Sequence, residues 1–94
     1  MAVRVLVPGV LRGECGDQSR LDVAVDGEVT LGEVLDRVAE RHPRFDRRIR
    51  DEQGRLRRFV NVFVGESECR TLSDLGTVVP DGTEVSIIPS VAGG

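Results

Sequence analysis

The residue types that carry covalent chemistry are scarce in this 94-residue chain: two cysteines, Cys15 and Cys69, and one histidine, His42. The cysteines lie 54 positions apart and match no metal or redox spacing. His42 precedes Pro43 at an expected helix end and reads as a cap or surface residue rather than a base or a ligand. These three do not assemble into a nucleophile, a base and an orienting group. Cys15 stands in a glycine-flanked loop, where an exposed thiol could hold sulfur as a persulfide; for Cys15 and for Cys69 the plainer reading is an incidental small residue. The glycines never fall into phosphate-loop spacing, and no lysine is present to complete one. A different kind of group stands at the end of the chain. Val91-Ala92-Gly93-Gly94 follow the apolar run Val85, Ile87, Ile88 and the break at Pro89. Glycine has no Cβ and lets backbone approach another surface closely, so a carboxylate on such an arm can reach into a partner's cleft. The protein therefore reads as a non-enzyme on which something else acts.

Composition sets the frame. Ninety-four residues suit one domain over 1–94 with a modest core, ending in a flexible tail over 90–94. With 39% apolar and 31% charged residues, the chain has the make-up of a soluble globular protein, and no apolar run approaches membrane-spanning length. The N-terminus alternates like a strand and lacks the basic-then-apolar order of a signal peptide, so a cytoplasmic protein is expected. A net charge of −3 argues against bulk binding to nucleic acid. The charge is unevenly placed: Arg44 to Arg58 hold seven arginines against three acids, a local +4 that leaves −7 on the remainder. Such a segment is either a solvated face or a patch that steers an acidic partner or an anionic substrate complex. All 13 basic residues are arginine, a compositional bias of the kind a GC-rich source genome produces, which leaves no lysine for isopeptide chain-building on the protein itself.

The elements that must position the tail follow from periodicity. Val3, Val5 and Val7 alternate with Arg4, Leu6 and Pro8 as a strand, and Leu21, Val23 and Val25 form a second that pairs antiparallel with it. Gly9 to Ser19 between them read as a long hairpin loop. Thr30 and Glu33 form a capping box, and Leu31, Val34, Leu35, Val38 and Ala39 make one face of a helix that ends near His42. Phe45 and Ile49 suggest a short helical turn. Phe59 to Val64 is a strand, Glu68 to Thr71 a short edge strand, and Leu72, Leu75, Val78 and Val79 a buried crossing loop with a turn of helix near Ser73. Asp81-Gly82 is a tight turn before a last strand, Thr83 to Ile88. The expected class is α+β, a mixed sheet of four to five strands covered by one main helix. The first and last strands sit side by side at its centre, which roots the tail in the middle of the sheet.

One strand is apolar on both faces. Val60, Val62 and Val64 supply the side toward the helix, yet Phe59 and Phe63 lie on the other, and Ile88 interrupts the polar outer face of Glu84 and Ser86. Exposed contiguous apolar surface marks a docking site; the opposite reading puts the phenylalanines in the core and the valines outside.

Asp81-Gly82-Thr83-Glu84-Val85, followed by Ile87-Ile88-Pro89-Ser90-Val91-Ala92-Gly93-Gly94, make the chain resemble the small β-grasp, ubiquitin-like sulfur carriers of the ThiS/MoaD family. Arg58-Phe59-Val60-Asn61-Val62 and the Val91 to Gly94 ending are most similar to the carriers of actinobacterial cysteine biosynthesis. Where many members have a second proline, this chain has Ser90.

The resemblance implies that an E1-like adenylating enzyme uses ATP and magnesium to convert the Gly94 carboxylate to an acyl-adenylate. Sulfur then displaces the adenylate and leaves a thiocarboxylate. It further implies a sulfur-accepting synthase, in the cysteine pathway a pyridoxal-phosphate enzyme, and a metalloprotease that frees the product. The carrier itself binds no cofactor, nucleic acid or membrane. Gly94 and Gly93 are then the reactive site, and Phe59, Phe63, Ile88, Val91 and Ala92 the surface presented to partners. Carriers for molybdopterin, thiamin and sulfur-containing secondary metabolites share this scaffold, as do ubiquitin-like modifiers attached to protein lysines.

Overall fold

A computed structural model describes residues 2–89. The tail at 90–94, with Val91, Ala92, Gly93 and Gly94, lies outside the described residues.

The alternating valines near the N-terminus form strand β1 (Ala2–Leu6), which pairs antiparallel with β2 (Arg20–Ala24). Between them the chain does not loop freely as expected. Gly9–Cys15 wind into a 3-10 helix closed by Gly16 in the left-handed conformation. The glycines advertise a turn, but burial of Cys15 pulls the segment into a compact coil against the core.

Thr30 caps helix α1 (Leu31–Arg41) as expected: its hydroxyl accepts from the Glu33 amide at 3.3 Å, and the Glu33 carboxylate accepts from the Thr30 amide at 3.2 Å. Such a cap stabilises the helix by about 1 kcal/mol. Leu31, Val34, Leu35 and Val38 are buried, while Ala39 is only half-buried. His42 closes the helix, donating its backbone N–H to the Val38 carbonyl at 2.8 Å. Pro43 then starts α2 (Pro43–Ile49), which buries Phe45 and Ile49 at one helical spacing.

Strand β4 (Val60–Val64) places its three valines inside and leaves Asn61 and Phe63 on the outer face, half-buried. It begins one residue later than expected, because the Val60 amide donates to the Arg57 carbonyl and holds Phe59 in a turn. The short edge strand β5 (Ser67–Glu68) pairs with β4. Cys69–Thr71, expected to extend it, form a 3-10 turn capped by the Glu68 carboxylate. The crossing segment also departs from expectation: Val79 is buried and Leu75 partly so, but Leu72 and Val78 are exposed. Val78 belongs to β6 (Val78–Val79), which makes a separate two-stranded sheet with β3 (Val29–Thr30). A strand pair this short puts one side chain inward and its neighbour out.

The last strand, β7 (Glu84–Pro89), completes a five-stranded sheet in the order β2-β1-β7-β4-β5. It runs parallel to β1 and antiparallel to β4, so the first and last strands are central neighbours as expected. The Asp81-Gly82 turn ties this arrangement at its base. Gly82, at φ 80°, donates to the Ala2 carbonyl, and the Asp81 carboxylate accepts from the Ala2 amide at 3.0 Å; that backbone conformation is strained for any residue with a Cβ. Helix α1 and the sheet enclose one valine-rich core, an α+β sheet-and-helix layout of the β-grasp kind. Among the described residues no helix is long and apolar enough to cross a membrane.

Candidate functional site

The site is built from the end of β7 upward. Val85 and Ile87 point into the core and are buried, which forces Glu84, Ser86 and Ile88 onto the outer face. Ile88 is 48% exposed there. The ladder pairs Asn61 with Ile88, Phe63 with Ser86 and Val60 with Pro89. Phe63 and Ile88 are therefore diagonal neighbours on one face, a spacing of about 7–8 Å that long side chains bridge. The valines, not the phenylalanines, fill the core, and the reversed assignment is excluded.

Phe59 is 45% exposed in the turn that leads into β4. It lines an open groove with Asp51, Arg55, Leu56, Arg57, Arg58 and Arg70. The Arg70 side chain spans from that groove to the outer face of the sheet, donating to the Arg57 carbonyl at 2.8 Å and to the Asn61 side-chain oxygen at 3.3 Å. Apolar and cationic surface thus meet where β7 ends. Sequence reasoning separated these features, because Arg70 lies outside the basic segment and joins it only through tertiary contact.

The basic segment itself divides into two roles. Arg50 is buried and pairs with Asp46 at 2.7 Å and Asp36 at 2.9 Å, fastening α2 to α1. Desolvation acts to lower its pKa, but hydrogen bonds and charge from the two carboxylates outweigh it and the net shift is upward. The loop after α2 is ordered by Asp51, whose carboxylate accepts from the amides of Gln53 and Arg55 at 2.9 and 3.0 Å. Those bonds, the Arg55 amide foremost, hold its pKa below the ordinary value. Arg55, Arg57 and Arg58 follow on the surface side of this loop.

Neither cysteine is available for sulfur chemistry from the body. Both are free and fully buried, so Cys15 is not the exposed thiol that the persulfide reading needs. Burial pushes the Cys15 thiol up, with a smaller contribution from Glu14. Cys69 is pushed to about 11 by burial and by the nearby carboxylates of Glu68, at 3.6 Å from its sulfur, and Asp74, at 4.0 Å. A thiol so held stays protonated and is a poor nucleophile. Among the described residues no group of histidine, cysteine and carboxylate side chains can hold a metal ion. His42 lines a shallow groove of about 180 Å³ between β2 and α1, remote in the chain from any nucleophile.

The model of the ThiS family matches residues 5–94. The sulfur carrier protein CysO of Mycobacterium tuberculosis is 35% identical over 96 residues, with all of both chains covered. The molybdopterin synthase sulfur carrier subunit of the same organism is also 35% identical, over 92 residues, covering 98% of this chain and 96% of that one. In the crystal structure of the Amycolatopsis orientalis BexX/CysO complex, a chain with 36% identity superposes with a TM-score of 0.85, covering 99% of this chain and 100% of the other.

Proposed function

Because the chain belongs to the ThiS family over residues 5–94, we propose that it is a sulfur carrier and not itself an enzyme. The Gly94 carboxylate attacks the α-phosphorus of ATP in an E1-like partner that uses magnesium, releasing pyrophosphate. Sulfide-level sulfur (HS⁻) delivered by the partner then attacks the acyl carbon and expels AMP, leaving a thiocarboxylate and a proton. A carboxylate oxygen is a poor leaving group until adenylation supplies one, which is why the carrier needs the partner. The observation that supports this reading is the placement of β7. This central strand, flanked by β1 and β4, ends at Pro89, five residues before Gly94 in the sequence. The body contributes a grip through Phe59, Phe63 and Ile88, and Val91 and Ala92 continue it along the tail.

Cysteine assembly is the favoured destination, given full-length similarity to CysO. There a pyridoxal-phosphate synthase would supply the amino-acid acceptor for the thiocarboxylate sulfur, and a metalloprotease would hydrolyse the bond to Gly94 to free cysteine. Equal identity to a molybdopterin synthase subunit carries the second reading, in which the same thiocarboxylate feeds molybdopterin. Either pathway places the carrier in the cytoplasm beside its enzymes.

Intact-mass measurement of the protein from its native cells tests the carrier reading: part of the population carries sulfur in place of one terminal oxygen. Free carboxylate throughout, with C-terminal remnants on lysines of other proteins, overturns it in favour of a modifier. Reconstitution with the candidate synthases then separates the destinations, cysteine or molybdopterin being the product read.

A further inference from the structure

We propose that the partner surface that grips this carrier bears an acidic rim, which docks on a cluster of Arg55, Arg57, Arg58 and Arg70 beside the end of β7. The inference deepens the sulfur-carrier reading and rests on it.

The four arginines line one groove with Leu56, Phe59 and Asp51. Two of them are held rigidly by neutral acceptors. Arg57 Nε donates to the Arg47 carbonyl at 2.9 Å, and Arg70 donates to the Arg57 carbonyl and the Asn61 side chain. A hydrogen bond to a neutral oxygen orients a guanidinium without cancelling its charge. Among the described residues two carboxylates pair with the cluster, Asp51 at 3.7 Å from Arg55 and Glu68 at 3.7 Å from Arg70. One oxygen of Asp51 is already committed to backbone amides. The groove therefore keeps a net positive charge on a protein whose total is −3.

Its place is as telling as its sign. Arg58 and Phe59 immediately precede Val60, the residue paired with Pro89, and Asn61, which Arg70 holds, is paired with Ile88. The cations flank the apolar docking face and the tail's origin together. Five residues beyond Pro89 reach at most about 17 Å when extended. A partner that draws the Gly94 carboxyl to its nucleotide thus presses the mouth of its cleft, not the nucleotide, against these arginines. Exposed charges at such a rim act mainly on the rate of association.

The test measures association of the full-length carrier with the purified E1-like adenylating enzyme of the same source across ionic strength. The Arg55→Glu/Arg58→Glu variant is compared with Arg41→Glu/Arg44→Glu, an equal change of net charge on the helical side. The expected result is an association rate reduced at least about tenfold at low salt in the first variant, with the salt dependence reversed so that added salt raises the rate, and wild-type behaviour in the second. Equal rates in wild type and first variant, or an equal loss in both variants, overturn the inference. Thiocarboxylate yield at saturating enzyme, read by intact mass, keeps the two questions apart. Wild-type protein that is converted while the salt and charge effects are absent leaves the carrier reading standing and the acidic rim refuted. Wild-type protein that is never converted removes both.

Discussion

Pro89 pairs with Val60 across the ladder of β7 and β4, so the chain leaves the sheet beside the turn that carries Arg58 and Phe59. On the proposed reading, the end of β7 and the outer face that a partner would grip are thereby neighbours on one sheet. A partner docked on that face would hold the end of β7, five residues from Gly94, and would then have only that short path to set.

The narrowness of that path gives the first prediction. Gly93→Val adds a branched side chain one residue from the reacting carboxyl, where displacement by about 1 Å costs on the order of 100-fold in rate. Adenylation, followed by pyrophosphate release, should fall by at least that factor, while the thermal unfolding midpoint stays at the wild-type value. Wild-type turnover by this variant would remove the tail from the active site.

Phe63→Asp separates docking from folding. Phe63 is half-buried on the outer face, opposite Ser86 and Glu68, so the substitution should cost stability no more than about 1 kcal/mol. Buried aromatic anchors at interfaces are worth about 2 kcal/mol or more; the KM for the carrier in adenylation should therefore rise at least about tenfold with kcat little changed. A cooperative unfolding transition retained near its wild-type midpoint, together with an unchanged KM, would place the docking face elsewhere.

Much of this was legible beforehand, and where it was not the reasons are specific. The capping box at Thr30 and Glu33 and the stripe from Leu31 to Val38 are strong because local spacing and burial agree. The same holds for the alternation in Val60 to Val64, which identified the apolar outer face. The 3-10 helix at Gly9–Cys15 was not legible, since glycine punctuation masks a coil that forms only when Cys15 packs inward. Nor was the β3–β6 pair, too short for any periodicity to register. The arginine cluster was half legible: the excess of charge is in the sequence, but recruitment of Arg70 and diversion of Arg50 into the interior depend on contacts between distant segments.

That diversion yields a stability prediction. The Arg50 guanidinium is buried between Asp46 and Asp36. Removing one member of a buried charge set costs about 3–5 kcal/mol, because the partners are left uncompensated; Asp36 is itself largely exposed, so the lower end applies. Arg50→Ala should lower unfolding stability by about 3 kcal/mol in denaturant titration. Arg58→Ala, on the surface, should change it by no more than about 0.5 kcal/mol.

The alkaline limb of stability should belong to the cysteines. The chain has no lysine and no tyrosine, so between about pH 8.5 and 12 thiols are the side chains that titrate. Cys69 is held up to about 11 in the folded state and Cys15 is raised as well, whereas unfolded thiols ionise near pH 8.5. Below that value both states keep the proton and stability is complete. As pH rises, the unfolded chain releases protons that the folded chain retains, and stability falls progressively up to the folded pKa. For Cys69 the total loss is about 2–3 kcal/mol by pH 11. Urea unfolding at pH 7, 9 and 10.5 should show this decline in the wild type. Cys69→Ala should be less stable at pH 7, through the lost packing of a buried side chain, yet show a shallower dependence on pH. An equally steep decline in that variant would assign the alkaline loss to some other group.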